Sequence, residues 1–225
     1  MTLSIPKWLV ALLLSLTGMA SLACGDTIQF TTLPADYLYG TYNGFVAATI
    51  NGQPGQYIIC DDYDHTTYVP SAILAYNEEN LDSPGSLEGA RFVSGNPPTQ
   101  DDYELYEQAA LLVYGLLEAG GLNASNQTVA DYQYALWHLF TPSTPLYDTT
   151  EQQLLNTTYA EVQSGNPAYN AIYSELVIYT PQASNASDQE FLGMDPVPEP
   201  SSLALMASAL ALTSLGLRAI RRTRF

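Results

Sequence analysis

Basic residues are almost absent from the middle of this chain, and that absence fixes which part can fold as one acidic unit. Residues 26–195 hold 22 acidic side chains and a single cation, Arg91. The other five basic residues are Lys7, Arg218, Arg221, Arg222 and Arg224, and they flank apolar runs at residues 8–16 and 202–217. The chain therefore divides into a cationic leader (residues 1–25), an acidic body (26–195) and an apolar, Arg-terminated tail (196–225). The body has the length of one domain with a real core. With 47% hydrophobic residues and 17 tyrosines, the chain is too apolar for a disordered acidic polymer. A body of this charge repels phosphate backbones, which argues against nucleic acid as a partner.

The leader has one lysine, a short apolar core and then small residues, the layout of a secretory signal peptide. Its core is shorter than the ~20 residues a spanning helix needs. Cleavage by signal peptidase fits after Ala23 or after Gly25. Leu22-Ala23-Cys24 also has a faint likeness to a lipoprotein box, but Ser21 departs from it and ordinary cleavage is favoured. The cut decides the fate of the cysteines. After Ala23, Cys24 remains to pair with Cys60 in an oxidising compartment; after Gly25, Cys60 stands alone.

Within the body, residues 26–30 and 44–50 have the β-branched and aromatic content of strands. Asn51-Gly52-Gln53-Pro54-Gly55 signals a hairpin turn, with residues 56–60 returning as its second strand. Residues 77–101 read as an exposed loop. Leu105, Ala109, Leu112 and Leu116 then recur at helical spacing, predicting a helix from Asp101 or Asp102 to Ala119. A second helix is expected over 128–140, ending before Pro142, and a third over 149–163, ending at Gly165. Residues 174–180 and 190–192 read as closing strands. The fold class predicted is α+β: a single domain with a mostly antiparallel β-sheet or sandwich and about three inserted helices. A signal peptide and a C-terminal transmembrane helix are expected to flank it.

Two sites carry candidate chemistry. Gln133 interrupts the apolar stripe Val129, Leu136, Phe140. A glutamine buried there needs partners or costs about 1–3 kcal/mol, so its plain reading is a tie from helix to strand backbone. The second site is Cys60-Asp61-Asp62-Tyr63-Asp64-His65. Cys60 with His65 or His138 and an aspartate has the residue types of a cysteine hydrolase, without any local protease signature. Asp61, Asp62 and Asp64 offer oxygen ligands for Ca²⁺ but not the spacing of a calcium loop, and a solvated loop is the default. His138 reads as a hydrogen-bonded boundary residue. The expectation is a protein without catalytic residues, cofactor or metal.

Two resemblances add to this. Tyr132-Gln133-Tyr134-Ala135-Leu136-Trp137 resembles the Thr-Gln-x-Ala-(Ile/Val)-Trp motif of bacterial surface thioester domains, with Tyr132 in place of the threonine. Ile59-Cys60-Asp61 is similar to their upstream cysteine, and the match spans roughly residues 44–180. The resemblance implies a covalent adhesin, in which a cysteine displaces ammonia from a glutamine and the stored thioester later acylates a target. It makes Cys60 the possible thioester cysteine with Gln133 or Gln163, supported by Trp137 and Asp61. The family's bond-forming glutamine lies near a closing strand, where this chain has Ser174-Glu175-Leu176; Gln163 is the nearest candidate.

At the other end, Val197-Pro198-Glu199-Pro200, the apolar stretch and Arg218, Arg221 and Arg222 resemble the PEP-CTERM sorting signal of Gram-negative bacteria. That resemblance implies transient inner-membrane anchoring through residues 202–220, with the arginines cytoplasmic and the acidic body outside. It also implies processing by an exosortase and delivery to the cell surface or an exopolysaccharide matrix. The functional expectation is thus a non-enzymatic exported surface or matrix protein, whose partners are signal peptidase, exosortase and an exopolysaccharide or surface ligand. A thioester adhesin is the alternative and a secreted hydrolase the second alternative.

Overall fold

The structure, a computed structural model, describes residues 26–81 and 86–194. The leader with Cys24 and the tail with its sorting residues lie outside the described residues. Strand β1 (Asp26–Thr32) buries Ile28 and Phe30 and exposes the residues between and beyond them, the period-two pattern of a half-buried strand. It pairs with β4 (Phe45–Ile50), which turns into β5 (Gln53–Cys60) through Asn51-Gly52. Both turn residues have positive φ, 51° and 79°, as a two-residue hairpin turn requires. β5 starts exposed, where Pro54 costs no ladder bond, and ends with Ile58, Ile59 and Cys60 buried. A small hairpin of β2 (Asp36–Leu38) and β3 (Thr41–Asn43) stands apart from this sheet.

The remaining strands are β6 (Leu74–Asn80), β7 (Leu176–Pro181) and β8 (Phe191–Met194). The order β1-β4-β5-β8-β7-β6 closes into an antiparallel barrel, so the expected sheet has no open edge. β6 runs into what the sequence predicts as loop. Its Asn77, Glu78 and Glu79 pair with Thr180, Tyr179 and Ile178 of β7. Residues 74–76 pair with β1 and residues 76–80 with β7, so backbone ladders rather than hydrophobic alternation hold this strand.

Helices α1 (Gln100–Glu118), α2 (Asn126–Phe140) and α3 (Thr149–Gln163) are the three expected, followed by a short α4 (Asn170–Glu175). Leu112 and Leu116 of α1 and Leu136 and Phe140 of α2 pack on Ile59, Leu176, Ile178 and Leu192 of the barrel. Another side of α2 sends Ala130, Tyr134 and Trp137 into a second cluster with Phe30, Val46, Cys60 and Phe191. Helix α2 thus joins both parts of the core, and Cys60 lies beneath it.

Helices α1, α2 and α3 begin at the side-chain caps Thr99, Ser125 and Asp148. Thr99 and Asp102 form a capping box at α1. The Asp102 carboxylate accepts from Thr99 N at 2.6 Å, Thr99 Oγ1 at 2.7 Å, Ser94 N at 2.8 Å and Ser94 Oγ at 3.1 Å. Burial opposes its charge, but these donors prevail and hold the carboxyl at about 2. The depressed value means that this stabilisation is present above the unfolded value of 3.8 and is lost as pH falls through about 2. Asp102→Ala should cost about 1–2 kcal/mol at neutral pH by denaturant titration, with the gap to the parent closing as the solution is acidified.

Candidate functional site

Beyond Cys60 the chain leaves the barrel and is folded back by one side chain, Asp62. Its Oδ1 accepts from Asp64 N at 3.2 Å, His65 N at 3.3 Å and His65 Nδ1 at 2.9 Å. Its Oδ2 takes the Arg91 guanidinium and Glu190 N at 3.4 Å. Arg91 also donates to the Asp188 and Ala186 carbonyls, both at 2.9 Å, fixing the approach to β8. The body's lone cation is therefore committed to a fully buried aspartate.

The backbone of Asp62 meets the sulfur. Asp62 N donates to Cys60 Sγ at 3.3 Å, and the thiol donates to Asp62 O at 3.1 Å. The same oxygen accepts from Gln189 Nε2 at 2.8 Å. Gln189 is pinned at its other end: Oε1 accepts from Thr67 N at 3.2 Å, and Gln189 N donates to Thr67 Oγ1 at 2.9 Å. Thiol and carboxamide are thus neighbours converging on one carbonyl. The register of β5 with β8, Ile59 opposite Leu192 and Cys60 opposite Phe191, carries Gln189 there from far along the chain.

Gln133 does something else. Its Nε2 donates to Cys60 O at 2.6 Å and its Oε1 accepts from Gly44 N at 3.1 Å, so both ends are used by strand backbone. The close approach needs a glycine: Gly44 has φ 93°, and a Cβ there would lie 2.5 Å from Val129 Cγ1. Gln163 lies on α3, its amide donating to Glu104 Oε2 at 2.6 Å in an exposed pair. Neither Gln133, the motif glutamine, nor Gln163, the nearest candidate for the bond-forming one, brings its carboxamide to the thiol's hydrogen-bond partner; Gln189 does. Its signal in the sequence was adjacency to the closing strand expected at 190–192. Gln133→Leu should cost about 1–3 kcal/mol by denaturant titration, because Cys60 O and Gly44 N both lose their partner.

Electrostatics keep the thiol neutral. Burial chiefly, then the Asp61 charge, push Cys60 well above its ordinary value, against the Trp137 indole N–H and the Asp62 backbone, which favour the thiolate. That indole N–H is buried and meets no acceptor at ordinary hydrogen-bond geometry, and its ring stands edge-on to Tyr63 at 5.3 Å and Tyr134 at 5.1 Å. Asp61 is fully buried, and neither carboxyl oxygen meets a donor at ordinary hydrogen-bond geometry. Burial first, then Glu190 and Asp62, raise it well above its ordinary value. Burial raises Glu190 as well, against its hydrogen-bond donors. It accepts from Tyr106 Oη at 2.7 Å, Arg91 N at 2.7 Å and the Thr180 hydroxyl.

A carboxyl raised in the folded state favours folding below its unfolded value of 3.8, and that advantage is lost as pH rises through the folded value. Asp61→Asn mimics the neutral carboxyl. The parent should match it near pH 4 and fall behind above, by up to about 1.4 kcal/mol per pH unit. Parallel stability curves would show Asp61 to be ionised in the fold.

A cleft of about 460 Å³ opens over this site, lined among others by Cys60, Tyr63, His65, Gln133, Trp137 and Gln189. His138 is not part of it, since its Nδ1 lies 2.8 Å from Thr144 O. Asp61, Asp62 and Asp64 do not converge as ligands, the first two being turned into the body. Elsewhere Asp131, Asp148 and Glu151 offer oxygens within 4.8 Å of one another. The Gln127 amide lies between the first two, at 2.6 and 3.4 Å. Burial raises the carboxyls of Asp131 and Glu151.

No protein-family model matches this chain, and no curated protein is detectably similar to it in sequence. Solved structures are similar in outline. The N-terminal thioester domain of a surface protein from Clostridium perfringens is 18% identical with a TM-score of 0.45, over 74% of this chain and 97% of that one. The N-terminal domain of the Streptococcus pyogenes pilus tip adhesin Cpa is 15% identical with a TM-score of 0.43, over 80% and 97%. The N-terminal thioester domain of the fibronectin-binding protein SfbI from Streptococcus pyogenes is 13% identical with a TM-score of 0.42, over the same shares.

Proposed function

We propose that the body is an exported, non-enzymatic surface domain that stores an internal thioester between Cys60 and Gln189 and uses it to attach covalently to an external target. The observation that carries this reading is the shared acceptor: the Cys60 thiol and the Gln189 amide both donate to the Asp62 carbonyl. In the closing step the sulfur attacks Gln189 Cδ and the C–N bond breaks. The thiol proton leaves with the amide nitrogen as ammonia, so no oxidant or reductant is needed. The buried thiol is a weak nucleophile in isolation; the Trp137 N–H and the Asp62 N–H are the groups that favour negative charge on sulfur as it attacks. Burial then shields the bond, while the cleft admits a nucleophile to one side of it.

Delivery is the part supported by sequence. The leader fits passage through signal peptidase, and the Pro-Glu-Pro tail with Arg218, Arg221 and Arg222 fits inner-membrane docking and exosortase processing. Release to the cell surface or an exopolysaccharide matrix would follow. The acidic body suits an external location.

The exported form should weigh one ammonia less than its sequence. Cys60→Ala and Gln189→Ala should each abolish the deficit, whereas Gln163→Ala should leave it intact. Full mass in the parent, with Cys60 alkylated as a free thiol after unfolding, would rule the thioester out.

A further inference from the structure

His65 stands on the wall of the same cleft, and its ring is oriented. Nδ1 lies 2.9 Å from Asp62 Oδ1, the His65 backbone N–H donates to that same oxygen, and Arg91 holds the other oxygen. A carboxylate oxygen only accepts, so Nδ1 carries a proton, and in the neutral imidazole the lone pair lies on Nε2. The side chain is 39% exposed while Asp62 is buried, which puts a basic nitrogen within reach of a molecule in the cleft. Among the described residues lining the cleft there is no carboxylate and no amine. A cationic ammonium entering it finds no counter-charge on the walls. A neutral hydroxyl finds an imidazole and the rings of Tyr42, Tyr63 and Trp137.

We propose that His65 is the general base for acyl transfer to hydroxyl groups, which makes polyols and carbohydrates the target class of this domain. This rests on the thioester reading. A neutral amine attacks a thioester unaided, but an alcohol must lose its proton as it attacks, and a positioned base supplies that step. The hydroxyl proton passes to Nε2 as the oxygen attacks Gln189 Cδ, and the carbon–sulfur bond breaks. The Cys60 thiolate then recovers the proton from the imidazolium, leaving an ester and a free thiol. Titratable groups around His65 are Cys60, Tyr42 and Tyr63 on the cleft wall and Asp61, Asp62 and Asp64 in its own loop. Arg91 and Glu190 stand behind Asp62.

The test uses the exported full protein with glycerol and methylamine as probes, adducts being followed by intact mass. His65→Gln should retain the one-ammonia deficit, while the ratio of glycerol to methylamine adduct falls at least tenfold, within the usual ~10²–10⁴ contribution of a general base. In the parent, the glycerol rate should rise through one titration step that the variant lacks. An intact deficit with an unchanged ratio would overturn the role of His65 and leave the thioester standing. Loss of the deficit in His65→Gln, or a glycerol rate in the parent without a titration step, would also overturn it. Full mass in the parent would remove the thioester reading and this proposal together.

Discussion

The Asp62 side chain is the interaction on which the site depends. A carboxylate removed from water costs several kcal/mol unless charge and donors replace the lost hydration. Here the replacement is Arg91 together with N–H groups from Asp64, His65 and Glu190. Satisfying that one charge brings together three distant pieces of chain: the loop after β5, the segment around residue 91, and the approach to β8. With the side chain held, the Asp62 carbonyl points where the Cys60 thiol and the Gln189 amide both reach it. Charge neutralisation in the body and placement of the thiol beside the carboxamide are therefore one event.

The helical layer supplies the complementary constraint. Helix α2 reaches the strand ends through Gln133, which spans Cys60 O and Gly44 N just beyond the last β4–β5 pair, Phe45 with Ile59. The same helix lays Trp137 beside the sulfur and seals the cluster containing Phe30, Val46 and Phe191. Beneath, Asp61 and Glu190 share a buried site in which burial raises both carboxyls, so each opposes a second negative charge on the other.

Much of the scaffold was legible from local rules. Helix α3 spans the expected residues 149–163 ahead of Gly165, and the Asn51-Gly52 turn places the end of β5 at Cys60. The motif glutamine was visible because a polar residue broke an apolar stripe. β6 was hidden because its outward residues are acidic and its stability comes from backbone ladders to β1 and β7. Gln189 was marked only by its place beside the strand expected at 190–192. Its meaning depends on β8 pairing with β5, a contact across more than half of the chain that no local pattern encodes. Arg91 stood out as the body's single cation, yet its partner, one of 22 acidic residues, could be named only from the fold.

The most direct measurement is a crystal structure of the exported protein, refined with no restraint between Cys60 and Gln189. The account predicts continuous density joining Sγ to Cδ and no nitrogen remaining on the Asp62 carbonyl, with Arg91 and His65 still on the Asp62 carboxylate. An intact Gln189 carboxamide donating to that carbonyl beside a free thiol would contradict it.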